Sequence, residues 1–150
     1  MKRLSLIIIL TIAIVTNSYA CRCDLYSSLD TFMKERFQAS DFVISAKVES
    51  VRDSLTKGDY VMSSDPMYWR EGGYNPILKV TNVYKGELKT DIIEITPRWS
   101  NCSQYFKTGD TYIIFGYVNN KGEFATDVCS GNFSITNKER LKIFRKIRKK

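Results

Sequence analysis

The sequence predicts a mainly β domain, a small antiparallel barrel of five strands with a helix at each end. Strand signals, in which apolar residues alternate with polar ones or cluster between turn residues, occur in five separate segments. These segments are residues 42–48, 77–84, 92–96, 111–118 and 124–128. Because the helical segments flank the strands and do not alternate with them, the pattern favours a barrel over a parallel sheet.

The first helix is predicted within residues 28–39. Its apolar residues recur at helical spacing and are expected in the core; they are Leu29, Phe32, Met33 and Phe37. Ser27 or Ser28 can cap this helix, because a serine hydroxyl accepts a hydrogen bond from a free backbone N–H of the first turn.

The strand region contains one regular strand, one turn and one irregular segment that the sequence identifies directly. Phe42, Ile44, Ala46 and Val48 alternate with polar residues, as in a strand buried on one face. The Asn-Asn-Lys-Gly sequence at 119–122 predicts the turn between the last two strands. Residues 52–73 form a long polar segment with several aromatic residues, and segments of that length are usually functional or disordered. The aromatic residues could contact a partner or fold back onto the barrel.

A second helix is predicted near residue 137 and is strongly basic. Thr136 and Glu139 form a capping-box pattern, and Leu141, Phe144 and Ile147 fall on one side. Residues 138–150 hold eight of the 23 Lys and Arg residues, whereas residues 21–137 are close to neutral. The basic composition therefore describes one helix, and no nucleic-acid partner is expected. The helix could contact a polyanion or an anionic surface, or it could simply be solvated.

The first 20 residues resemble a secretory signal peptide. Lys2 and Arg3 precede an apolar run over residues 4–15, and Ser18-Tyr19-Ala20 has the small-x-small pattern of a cleavage site. An uncleaved anchor is the alternative, but the run is shorter than the roughly 20 residues of a spanning helix. Cleavage after Ala20 would leave a domain of residues 21–150 without a transmembrane segment and with Cys21 at its N-terminus.

An exported chain with four cysteines is expected to form two disulfides, because oxidising compartments keep thiols paired. A bridge between Cys21 and Cys23 would strain the bond geometry, so each is expected to pair with Cys102 or Cys129. The chain contains no histidine, which removes the usual catalytic bases and zinc ligands. We therefore do not expect an enzyme, nor a resident metal or cofactor.

Several short motifs together resemble the N-terminal domain of the tissue inhibitors of metalloproteinases and the wider netrin-like modules. The motifs are Cys21-Arg22-Cys23, Ser40-Asp41-x-Val43-Ile44-x-Ala46-Lys47, Val83-Tyr84-Lys85-Gly86, Thr96-Pro97, Cys102 and Cys129. Their order and spacing cover nearly all of residues 21–150. The chain departs from the family in carrying Arg22, where a small Ser or Thr is usual.

The resemblance implies a five-stranded OB-fold barrel and the disulfides Cys21–Cys102 and Cys23–Cys129. It implies inhibition of zinc metalloendopeptidases, in which the α-amine and carbonyl oxygen of mature Cys21 chelate the zinc of the target protease. Zinc is then the partner's ion and not a cofactor of this chain. The expected protease contacts around Cys21 are Arg22, Cys23, Asp24, Ser100 and Asn101.

Other hypotheses stay open at this point. The chain could be a netrin-like binding module without a protease target, or a surface- or polyanion-binding protein that uses its basic helix. Location is expected to be extracellular, or periplasmic in a Gram-negative bacterium. A cysteine behind a cleavage site can also carry a lipid, but Ser18-Tyr19-Ala20-Cys21 lacks the aliphatic start of a lipobox. Lipidation of Cys21 would exclude both its disulfide and zinc chelation.

Overall fold

The structure, a computed structural model, describes residues 21, 23–53, 74–96 and 102–149. The predicted signal peptide and most of the 52–73 segment lie outside the described residues. No helix in the described ranges is long and apolar enough to cross a membrane.

Five strands close into an OB-like barrel. The strands are β1 Phe42–Asp53, β2 Tyr74–Lys85, β3 Ile92–Thr96, β4 Thr111–Val118 and β5 Phe124–Ala125. Neighbouring strands follow the order β1, β2, β3, β5, β4, and β4 pairs back onto β1 to close the ring. The mainly β class and the five-stranded barrel are confirmed.

One strand pair in the barrel is parallel, contrary to the all-antiparallel expectation. β3 and β5 run in the same direction, whereas the other four pairs are antiparallel. A closed ring with an odd number of strands cannot alternate direction throughout, so at least one pair must be parallel. β5 ends at Ala125, before the predicted Val128, and a short sixth strand, β6 Phe133–Ser134, adds to β4.

The barrel bends where its longest strands change register. β1 and β2 are each 12 residues long, and their pairing shifts at three points along β1. Such bulges increase local twist and bending, which a small closed barrel requires. Gly116 of β4 lies opposite Phe42 of β1, and a Cβ at this glycine would be 2.1 Å from the Phe42 ring. The missing side chain therefore leaves room for the ring to fill the barrel.

Two helices cover the outside of the barrel. Helix α1 is Leu29–Ala39, and its N-cap is Ser28, one of the two serines predicted for this position. The Ser28 hydroxyl accepts a hydrogen bond from Thr31 N. Helix α2 is Lys138–Ile147, and its N-cap is Asn137, whose side chain accepts from Arg140 N at 3.1 Å. The prediction of Thr136 as the cap was wrong, because this residue contacts Ser134 instead, with 2.8 Å between their hydroxyl oxygens.

The chain therefore has two hydrophobic cores that share the β-sheet. Phe42, Ile44, Ala46 and Val48 point into the barrel, as the alternation predicted. Val43 is also buried, because α1 and α2 cover the outer face of β1. The second core contains the predicted apolar residues of both helices, namely Leu29, Phe32, Met33, Phe37, Leu141, Phe144 and Ile147.

Phe144 joins α2 to this second core. Its ring is 2% exposed, and its centroid lies 5.0 Å from that of Tyr84 and 5.9 Å from that of Phe115. The rings of Phe37 and Phe133 each lie 6.2 Å away. These distances and tilted orientations are favourable for aromatic pairs.

We expect Phe144→Ala to lower the free energy of unfolding by about 3–5 kcal/mol, because it leaves a cavity among four aromatic rings. Val83→Ala is the control, since Val83 is exposed and its truncation should change stability by less than about 0.5 kcal/mol. Urea denaturation measures both values. Equal effects of the two substitutions would contradict this packing of α2.

Candidate functional site

The candidate site is the N-terminal segment, which two neighbouring disulfides join to barrel loops. Cys21 is bonded to Cys102 and Cys23 to Cys129, with Cα–Cα distances of 5.3 and 5.2 Å. This is the pairing that the family resemblance implies. The two bridges lie side by side, since the sulfurs of Cys21 and Cys129 are 4.0 Å apart. Each bridge closes a long loop, over sequence separations of 81 and 106 residues.

A second set of contacts holds the segment after Cys23 against α1. The Arg36 guanidinium donates from Nη2 to Asp24 Oδ2 at 3.0 Å. The same guanidinium lies over the rings of Tyr26 and Phe32, at 5.4 and 5.5 Å from their centroids. The two rings meet edge to face at 5.0 Å. The Arg36 guanidinium therefore contacts one carboxylate and two aromatic rings, and two of these three partners belong to the segment after Cys23.

The loop that carries Cys129 is ordered by its own hydrogen bonds. Asp127 Oδ1 accepts from Cys129 N at 2.9 Å and from the Ser130 hydroxyl at 3.0 Å. Gly131 follows at φ +92°, a conformation that favours glycine, and its Cα faces the Phe32 ring of α1. The chain thus turns tightly beside the disulfide and returns toward β6.

Asn132 connects this loop to the barrel wall. Its Oδ1 accepts from Phe115 N of β4 at 2.8 Å. Its Nδ2 donates to Thr126 Oγ1 at 2.9 Å and to Asp127 O at 3.3 Å. A backbone bond of 3.0 Å from Val128 N to Cys102 O also joins the two loops that receive the disulfides. Both anchor points of the N-terminal segment therefore belong to one hydrogen-bonded unit.

The N-terminal segment protrudes from this support. Cys21 is half-buried, whereas Cys23, Asp24 and Leu25 are exposed. Leu25 is fully exposed, and Val128, next to Cys129, is 42% exposed. An exposed aliphatic side chain alone is ordinary, but these two lie within two residues of a bridged cysteine. Cys23, Asp24 and Leu25 thus form an exposed ridge that presents a disulfide, a carboxylate and an apolar side chain.

The structure brings together some of the predicted site residues and does not describe others. Cys21, Cys23, Cys102, Cys129 and Asp24 lie in one place. Arg22, Ser100 and Asn101, which are predicted protease contacts, lie outside the described residues. No group of three or more Cys, Asp and Glu side chains in the described ranges is arranged to hold a metal ion.

Sequence reasoning missed Arg36 and Asn132. Arg36 lies 12 residues from Asp24, and Asn132 lies 17 residues from Phe115, so no local spacing rule connects either pair. The only signal for Arg36 is its position four residues after Phe32 on α1, which places both on one helix face.

Comparison with known proteins leaves the chain without a family assignment, because no family model and no curated protein matches its sequence.

We expect Arg36→Ala to loosen the segment after Cys23. The free energy of unfolding should fall by about 1–2 kcal/mol through loss of cation–π contact and packing, and amide hydrogen exchange at residues 24–27 should accelerate. Asp24→Ala should cost less than about 1 kcal/mol, because the Asp24 side chain is 76% exposed and solvent screens the ion pair. An equal cost for both substitutions would show that the ion pair, and not the aromatic contact, holds the segment.

Proposed function

We propose that the chain is a secreted inhibitor of zinc metalloendopeptidases, and that the α-amine and carbonyl oxygen of mature Cys21 occupy the open coordination position of the target's zinc. The observation that carries the proposal is the double anchoring of the segment behind the predicted cleavage site. Cys21 is tied to Cys102, and the adjacent Cys23–Cys129 bridge lies against it. The family resemblance of the motifs points to the same mechanism.

Zinc chemistry gives the N-terminal cysteine a suitable role. A catalytic zinc has three protein ligands and one position that water or substrate occupies. An α-amine and the carbonyl oxygen of the same residue form a five-membered chelate ring with such an ion. A free α-amine has a pKa of about 8, and a neighbouring dication favours its deprotonated form. The amine would therefore bind as a neutral ligand near neutral pH and displace the catalytic water.

Rigidity is the second contribution of the site. A flexible peptide loses conformational entropy when it enters a cleft, and prior fixation removes much of this cost. Here the disulfides and the Asp24–Arg36 pair hold the segment, and the Asn132 hydrogen bonds hold the loop to which Cys23 is bridged. The exposed ridge of Cys23, Asp24 and Leu25 would enter the protease cleft beside the zinc.

Specificity would come from the residues around the chelating group. Arg22 would project into the pocket beside the zinc, where its cation requires a carboxylate partner because an unpaired buried charge is costly. Ser100 and Asn101, which precede Cys102 in the sequence, would add further contacts to the protease. Proteases with an acidic pocket are therefore the targets to test first.

A single added residue tests the chelation directly. One alanine in front of mature Cys21 keeps the disulfides and all charged side chains but turns the chelating amine into an amide nitrogen. We expect this variant to lose on the order of 100-fold or more in affinity, since an amide nitrogen is a poor zinc ligand. Inhibition constants against a panel of zinc endopeptidases measure the loss, and intact mass verifies the free amine and both disulfides.

Two outcomes separate the parts of this proposal. Equal inhibition by the two proteins would exclude chelation and leave another contact to be found. If the unextended, correctly bridged protein inhibits no member of a broad panel, the inhibitor proposal is wrong, and an extracellular binding module becomes the better account.

A further inference from the structure

Helix α2 and the turn after it carry a row of cations on the side that faces away from the barrel. At 100° per residue, Lys138, Lys142, Arg145 and Lys146 fall within an arc of about 100°. Lys149 follows in the turn, where its N–H bonds Lys146 O at 3.3 Å. All five are exposed, while Phe144 on the opposite side is buried. We call these five residues the basic stripe, and its helical part is about 12 Å long.

The stripe forms no ion pair among the described residues. The ion pairs among the described residues are Asp24–Arg36, Lys47–Glu49 and Arg52–Glu94, and none involves α2. Two other cations of this region are used in intramolecular contacts. Arg148 lies over the Tyr84 ring at 5.3 Å, and Arg140 points its Nη1 at Asn132 O. The charged groups of the stripe differ from these two in taking part in no ion pair, side-chain hydrogen bond or cation–π contact among the described residues.

Apolar side chains lie beside these cations. Leu141 is half-buried and shares a groove of about 510 Å³ with all five residues of the stripe. On one flank, Ile135 is 40% exposed and shares a second groove with Arg145 and Lys149. On the other flank, a groove of about 700 Å³ between α1 and α2 is lined by Lys34, Lys146, Phe37 and Ile147, together with Asp30, Thr31 and Gln38. Cationic and apolar groups therefore cover an area that spans two helices.

We infer that this face docks on the surface of a lipid bilayer that contains anionic lipids. Three features favour a bilayer over a linear sulfated polysaccharide. The cations cover an area wider than one row, because Lys34 of α1 lies across the groove from Lys146. Most of them are lysines, whose compact charges suit a diffuse anionic surface better than a fixed bidentate geometry. Ile135 and the exposed part of Leu141 offer apolar contact to the headgroup region, which a polysaccharide would not use.

The docking would be peripheral. The apolar side of α2 is occupied by the second core, so the helix cannot insert its Phe144 side into the bilayer. The carboxylates beside these cations are Glu139 on α2 and Asp30 in the groove between the helices. The five cations of the basic stripe and Lys34 outnumber these two carboxylates. No residue of the stripe takes part in the described contacts of the candidate site, so this inference does not depend on protease inhibition.

Vesicle sedimentation of the mature chain tests the inference. We expect binding to mixed phosphatidylglycerol and phosphatidylcholine vesicles, weaker binding at higher salt, and none to pure phosphatidylcholine. The double variant Lys142→Gln, Lys146→Gln should bind about 30-fold more weakly, at about fivefold for each cation near the surface. Glutamine and lysine have similar helix propensities, so α2 should remain folded, which circular dichroism verifies.

Matched variants decide between a specific face and net charge alone. The control Lys89→Gln, Lys121→Gln removes the same charge from exposed positions in turns of the barrel and should keep nearly full binding. Ile135→Thr should weaken vesicle binding a few-fold while leaving any binding to soluble heparin unchanged. Three results would overturn the inference: no sedimentation at low salt, equal losses in the two double variants, or retention on heparin without vesicle binding, which would assign the face to a polysaccharide.

Discussion

The two disulfides are the constraint on which the candidate site depends. They tie the segment at Cys21 and Cys23 to two loops that are otherwise distant in sequence, at Cys102 and Cys129. In the chain-entropy model, closing a loop of this length destabilises the unfolded chain by about 4–5 kcal/mol. The loops themselves are joined by the bond from Val128 N to Cys102 O. The bridges therefore both stabilise the fold and fix the position of the residue at the predicted mature N-terminus.

The barrel supplies the rigid support for these loops. Its closure through β1 and β4 removes the free edge that an open sheet would present. Asn132 connects the Cys129 loop to the barrel. Its side chain bonds the backbone of Phe115 in β4, and it also bonds Thr126 and Asp127 at the start of the loop. On the outer face, α1 supports the N-terminal segment through Arg36, while α2 presents its cations to solvent.

Local sequence patterns predicted the helices, strands and turn well, but they did not predict contacts between residues distant in sequence. The helices, four of the strands and the 119–122 turn follow from periodicity and turn chemistry, and the turn is closed by a bond from Asn119 N to Glu123 O. The burial of Val43 was missed, because the alternation along β1 says nothing of helices that pack on its outer face. The parallel β3–β5 pair follows from ring closure and not from either strand's sequence.

The candidate site was predictable only in part. Residue spacing alone left two ways to pair the four cysteines, and the family resemblance selected the one that is observed. Asp24 was expected at the site as a protease contact, but its ion pair with Arg36 was not, because partners 12 residues apart meet only after the segment is bent back along α1. Thr136 and Asn137 are both good caps, and the contact of Thr136 with Ser134 left the helix to begin after Asn137.

In the proposed function the mature N-terminus is a metal ligand, and the ligand set of the target's metal can be observed directly. Co²⁺ can replace the zinc of a metalloendopeptidase that the protein inhibits. The visible absorption of Co²⁺ depends on the number and type of its ligands. Addition of the mature protein should change this spectrum in proportion to the complex formed, because a nitrogen and an oxygen replace the metal-bound water. Inhibition of the cobalt enzyme with an unchanged spectrum would contradict the account, since the protein would then block the protease without touching its metal.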